Sequence, residues 1–199
     1  MPTGVHIRDV REQLFDAAER VLLRDGPNTL TSRAVTTEAG CAKGVLHRHF
    51  ADFDAFLAEL VLDRVERIEH NGAALRESAG TGTVAGNLTG ALTALFESVA
   101  VAIVALIICR DELRARLRQT WPIGVPLATE AAAMIASYLT TERDLGRIAA
   151  DADIDTLAPT LIGAGHLLFV DPKGILPGAG AVRKMVTMVL AGVLQEPPL

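Results

Sequence analysis

At 199 residues, half of them hydrophobic (50 %), the chain can bury a sizeable core and fits one or two domains. Only 4 % is aromatic, while Ala, Leu and Val dominate, which favours helix bundles over sheets. The net charge of −5 excludes binding of polyanions over the whole surface: residues 1–50 carry seven Lys or Arg against six Asp or Glu, the remainder twelve against eighteen.

In chain order, Ile7, Val10, Leu14, Ala17, Ala18 and Val21 fall on one helical stripe, which Asp25-Gly26-Pro27-Asn28 terminates. Residues 31–50 then predict a helix, a three-residue turn and a second short helix. Thr31 or Ser32 can cap the first by accepting from free N–H groups of its first turn. Val35 and Ala39, four apart, share an inward face. Gly40 stands where the helix ends and the chain needs positive φ. Cys41 fills the turn, Ala42 or Lys43 opens the second helix, and Leu46 and Phe50 anchor it.

This is the spacing of a helix-turn-helix, which lays its second helix in the major groove of DNA. Lys43, Gly44, Val45, His47, Arg48 and His49 are left outward. Lys43 and Arg48 suit phosphates or guanine O6 and N7, Gly44 allows close backbone approach, and Val45 suits a thymine methyl. His47 can donate to a phosphate in either tautomer. Thr31, Ser32 and Arg33, at the head of the first helix, complete the candidate DNA contacts. The plainer reading is a pair of core helices with solvated charges.

Asp52 is placed to cap a fourth helix carrying Phe53, Phe56, Leu57, Leu60, Val61, Val65 and Ile68. Gly72 and residues 78–83 predict the loop after it. A fifth helix is expected from Val84 to Cys109, apolar on several faces and hence buried; its run Val99–Cys109 falls far short of the roughly 20 residues that span a bilayer. Arg110 to Thr120 predicts a short charged helix, stopped by Trp121-Pro122, whose arginines form a solvated face. A seventh helix is expected over Pro126–Glu142, and an eighth from an Asp153 or Asp155 cap to Val170. Residues 171–180 read as a loop. The ninth carries Val182, Met185, Val186, Val189, Leu190, Val193 and Leu194 on one stripe.

The run Leu14-Phe15-Asp16-Ala17-Ala18-Glu19-Arg20-Val21-Leu22, then Asp25-Gly26, Leu30-Thr31, Ala39-Gly40 and Lys43-Gly44-Val45-Leu46-His47-Arg48-His49-Phe50, resembles the N-terminal domain of the tetracycline-repressor (TetR) family of bacterial regulators. The resemblance is specific over about residues 8–60. Three positions depart from the family pattern: His47 stands for a Tyr, Phe53 for a Lys, and Thr36 for a small Ala. The resemblance implies an all-α homodimer of about nine helices. A three-helix DNA-binding domain (1–52) would precede a helical ligand-binding and dimerisation domain (53–199), and ligand would release the protein from its operator. It also implies dimerisation through the last two long helices. Independently, a single recognition helix makes few contacts, and dimers reach two half-sites about 34 Å apart. Gly163, Ala164 and Gly165 would permit close helix approach there.

The expected function is a ligand-responsive, sequence-specific regulator, a repressor of a palindromic operator. The alternative is a helical interaction protein that has lost specific DNA binding. Phe96, Ile103, Trp121, Met134, Tyr138, His166 and Phe169 are the candidate ligand residues, being bulky or polar-tipped within Ala- and Val-rich helices, and an apolar or amphipathic ligand is expected. Each is individually more often plain core. No nucleophile elbow, phosphate loop or metal-ligand spacing is present in the sequence, so no enzyme, cofactor or metal is expected. Cys41 and Cys109 lie in apolar contexts and are expected to be buried thiols. With no N-terminal signal, a cytoplasmic location without a membrane is expected.

Overall fold

The computed structural model describes residues 7–170, 177–178 and 180–195, with side chains from residue 10. The predicted loop over residues 171–180 and the side chain of Ile7 therefore lie largely or wholly outside the described residues. The architecture is all-α: α1 (Ile7–Asp25), α2 (Ser32–Glu38), α3 (Gly44–His49), α4 (Phe53–Glu77), α5 (Val84–Phe96), α6 (Ala100–Cys109), α7 (Asp111–Leu117), α8 (Ala128–Asp144), α9 (Ile154–Phe169) and α10 (Ala181–Leu190). The chain divides into two compact units. Of the described residues, the first comprises 7–63 and 102–123, the second those of 64–101 and 124–195. Both α4 and α6 run from one unit into the other.

In the first unit, the α1 stripe buries Leu14, Ala17, Ala18 and Val21 against α2. Phe15, Phe50 and Phe56 pack with ring centroids 5.0–5.9 Å apart, and Phe53 stacks on Phe56 at 5.6 Å. Four of the six phenylalanines thus join α1 and α4 to the end of α3. Asp52 caps α4 as expected, its Oδ1 accepting from Ala55 N–H at 2.6 Å. That bond first, and the Arg116 guanidinium second, hold its carboxyl below the usual range.

The second unit packs α8 on α9, and α10 on both α5 and α9. Its core is built from Leu88, Leu92, Ile135, Tyr138, Leu161 and Val186. Asp153 caps α9 by accepting from Thr156 N–H, and that bond lowers its pKa. Among the described residues one antiparallel bridge joins Ile148, between α8 and α9, to Leu194, after α10.

Several predicted boundaries are corrected. The expected fifth helix is two, which raises the count to ten among the described residues. Ser98 Oγ donates to Leu95 C=O and accepts from Ala100 N–H, competing locally with the helical ladder, and α5 and α6 diverge by 54°. No single helix among the described residues is long and apolar enough to cross a membrane. Nor is the run uniformly buried: Ile108 is 55 % exposed and Cys109 is exposed, while Cys41 is half-buried. A helix apolar on every side does not reveal which face meets solvent.

Gly72 lies within α4, not in a loop; it is buried, and a Cβ there would stand 3.0 Å from Met134 Cγ. The glycine serves close packing of α4 on α8. α8 begins at Ala128 rather than Pro126, because Leu127 takes φ 68°, outside the helical region. Its N–H donates to Glu130 Oε2 at 2.8 Å. α10 ends at Leu190, and Leu194 turns away into the bridge.

Candidate nucleic-acid interface and ligand cavity

The turn between α2 and α3 is built by local hydrogen bonds. Thr31 Oγ1 accepts from Ala34 N–H at 3.1 Å and caps α2. At its other end Gly40, with φ 66°, donates to Thr37 C=O, and Cys41 N–H donates to Thr36 C=O. This pair of bonds is the Schellman closure, which needs a left-handed residue at the glycine position. Gln13 Nε2 donates to Ala39 C=O at 2.9 Å, and Arg11 Nη1 to His49 C=O at 3.5 Å, so α1 holds the ends of both helices. Thr31→Ala is expected to lower stability by about 1 kcal/mol, the usual effect of losing a cap, read as a fall in denaturant midpoint.

On α3, Leu46 is fully buried and Phe50 nearly so. Lys43, Gly44, His47 and Arg48 are exposed, while Val45 and His49 are half-buried. Thr31 and Arg33 are exposed; the Ser32 hydroxyl is buried and has no hydrogen-bond partner among the described residues. Charge pairing separates two groups of cations. Arg11 pairs with Glu59, and Arg20 and Arg24 both pair with Glu38 at 2.8 Å. Lys43, Arg48 and Arg33 pair with no carboxylate among the described residues. The fixed cations brace α1, and the free ones stand on the helix-turn-helix.

Glu38 is held below the usual carboxylate range, first by its hydrogen bond from Arg20 and then by that from Arg24. Its folded value lies below its unfolded one, so the stabilisation is complete at neutral pH. It fades as pH falls through the carboxylate range. Glu38→Gln should therefore flatten the acid limb of the stability profile without altering the limb above neutrality.

At the start of α4, the Arg110 guanidinium lies over the Phe53 ring, 5.2 Å from its centroid, and pairs with Asp54 at 2.6 Å. Arg116 pairs with Asp52 at 2.7 Å. The arginines flanking and within α7 thus neutralise two carboxylates beside the end of α3.

The second unit holds a cavity of about 340 Å³. Ile68, Asn71, Ala74 and Leu75 of α4 line one side, with Ser78 at its end; Asn87, Ala91, Ala94 and Leu95 of α5 line another, and Met134 of α8 closes it. Of the candidate ligand residues, Met134 alone is part of this lining. Tyr138 is buried just behind it and accepts from Asn87 Nδ2 at 3.0 Å. Phe96 stacks on Phe169, centroids 5.4 Å apart, beside His166 at 6.5 Å, as a separate aromatic cluster. Ile103 and Trp121 belong to the first unit. The lining residues on α4 and α5 went unselected in the sequence because most are small or ordinary apolar residues. The legible signal was Asn87, the one amide in a helix whose other polar residues are two threonines.

Behind the cavity a buried carboxylate is fully employed. Glu142 accepts from the Tyr138 hydroxyl at 2.5 Å and from Gly80 N–H at 3.3 Å, and it pairs with Arg147 at 3.3 Å. Burial first, and the bond to Glu142 second, push the Tyr138 hydroxyl well above its usual pKa. Tyr138→Phe removes a charge-assisted bond in a buried site and is expected to cost about 2 kcal/mol, measured by chemical denaturation.

A short-helix turn-helix braced by a third helix, ahead of a helical bundle with its own cavity, defines an all-α DNA-binding class. Residues 14–60 match the sequence model of bacterial regulatory proteins of the tetR family. No curated protein matches the sequence. Solved structures share the fold. Salmonella enterica GusR is 18 % identical with a TM-score of 0.68, over 94 % of this chain and 98 % of its own. The transcriptional regulator FadR from Bacillus subtilis, in complex with stearoyl-CoA, is 16 % identical with a TM-score of 0.67, over 91 % and 98 %. The ketosteroid transcriptional regulator KstR2 of Mycobacterium tuberculosis is 19 % identical with a TM-score of 0.58, over 97 % and 98 %. The tetR-family match is thus confined to residues 14–60, and the chain as a whole shares the fold of these solved structures.

Proposed function

We propose that the protein is a dimeric, sequence-specific DNA-binding regulator, a repressor released from its operator by a small ligand. The observation that carries this reading is the set of exposed cations Lys43, Arg48 and Arg33 on the helix-turn-helix, unpaired among the described residues, beside Arg11, Arg20 and Arg24, each engaged by a carboxylate. Phosphates are the partners such free cations suit.

Dimerisation through α9 and α10 is supported by the large apolar side chains they leave outside. Leu167 is 77 % exposed and Met188 70 % exposed, which a second copy would cover. Gly163 faces open space and allows close approach, whereas Gly165 turns inward to Phe96. A ligand effector is supported by the cavity of the second unit and by the stearoyl-CoA complex of FadR. Four lining residues sit on α4, the helix that begins directly after α3. A ligand that binds one disposition of α4 more tightly shifts the population away from the DNA-competent spacing.

Selection from a pool of random duplex DNA at moderate salt tests the reading. Enrichment of a palindromic site supports a dimeric regulator. A folded protein that enriches nothing would instead be an interaction protein of the same fold, a reading favoured by His47 and Phe53 where the family has Tyr and Lys. Salt-dependent DNA retention separates the two, because phosphate contacts release counterions.

A further inference from the structure

The cavity of the second unit has an uncharged lining and a modest volume. Its lining holds no ionisable side chain, and its polar residues are three: Asn71, Ser78 and Asn87. Its 340 Å³ is roughly twice the ~150 Å³ of an apolar cavity that takes up benzene, so a ligand of roughly a dozen non-hydrogen atoms fills it.

The hydrogen-bond inventory narrows the chemistry further. Asn87 Nδ2 already donates to Ser78 C=O, Thr81 C=O and the Tyr138 hydroxyl at 3.0–3.2 Å. Ser78 Oγ donates to Leu75 C=O at 2.6 Å. The amide of Asn71, at the exposed edge, bonds to nothing among the described residues and offers both a donor and an acceptor. The carboxylate of Glu142, bonded to Tyr138, is 0 % exposed and is taken up by Tyr138, Gly80 and Arg147. It is unavailable to a cation. An ionised group seated among the lining residues would give up part of its hydration with no counter-charge in that lining to replace it.

We infer that this cavity binds a neutral, largely apolar molecule of about a dozen non-hydrogen atoms with one hydroxyl, carbonyl or amide group, held at that group by Asn71. It rejects acids and quaternary amines of the same length. The inference rests on the ligand-responsive reading above and narrows it.

Isothermal titration of the full chain, without DNA, with decan-1-ol, decanoate and decyltrimethylammonium tests the class. Decan-1-ol should bind, and the two ions at least about tenfold more weakly. Ala91→Phe fills the cavity and should abolish binding of the alcohol. Asn71→Leu, at an exposed position that leaves folding intact, should weaken the alcohol by about threefold to tenfold. The inference is overturned if decan-1-ol does not bind, if either ion binds within about threefold of it, or if neither variant changes its affinity. Release of a selected operator by decanoate but not by decan-1-ol would keep the regulator reading and overturn the ligand class. Failure of the DNA selection would remove the regulator reading and leave the titration result standing.

Discussion

Replacing Lys43 and Arg48 together by alanine is expected to lower affinity for a selected operator by about a hundredfold or more. The plot of log affinity against log salt should also become shallower by about two. Both side chains are exposed and unpaired among the described residues, so the substitutions remove no internal interaction, and thermal unfolding should be unchanged. The control is Arg24→Ala: that guanidinium is engaged by Asp25 and Glu38, and its loss should change operator affinity only a few-fold. Fluorescence anisotropy at several salt concentrations reads all three proteins. Equal affinity and equal salt slope in the double variant and the parent would refute the assignment of α3 as the DNA-reading helix.

Gly165→Ala is expected to destabilise the second unit by about 3 kcal/mol, the upper end of the usual effect of overpacking a core. The added Cβ would stand 2.2 Å from Phe96 Cε2 and 2.9 Å from Cζ. That ring is not a flexible tip. It is buried and stacked on Phe169, so relief requires α5 and α9 to move apart. At about 2–4 °C per kcal/mol for a chain of this size, the melting temperature should fall by roughly 10 °C. Gly90→Ala, on the partner helix α5, provides the contrast, because its Cβ would meet open space and alanine is the better helix former. A double variant, Gly165→Ala with Phe96→Leu, should recover part of the loss, which separates a steric clash from a general sensitivity of α9. A Gly165→Ala protein as stable as the parent would show that α9 and α5 are less tightly packed than the distances state.

Where a structural signal is local, it was legible in the residues alone. The α2 cap at Thr31, the Schellman closure at Gly40, the anchors Leu46 and Phe50, and the caps Asp52 and Asp153 all depend on hydrogen bonds or spacing within five residues. That is why the helix-turn-helix and the all-α class could be read before any packing was known. The same holds for the free cations' position on α3, though not for their freedom, which depends on carboxylates elsewhere in the chain.

Tertiary packing decided the rest. Gly72 and Gly165 look like loop or interface glycines in sequence, and each is a point where a side chain from another helix presses in, Met134 on the first and Phe96 on the second. The cavity is bounded by small residues on α4 and α5 that leave space rather than fill it, and empty space has no periodicity to detect. The exposure of Cys109 and Ile108 on a helix that is apolar all round is likewise set by which neighbours arrive, not by the helix itself. Periodicity and capping are properties of one segment and survive in its sequence. Close approach, vacancy and solvent exposure are properties of pairs of segments far apart in the chain, and they exist only once the helices have packed.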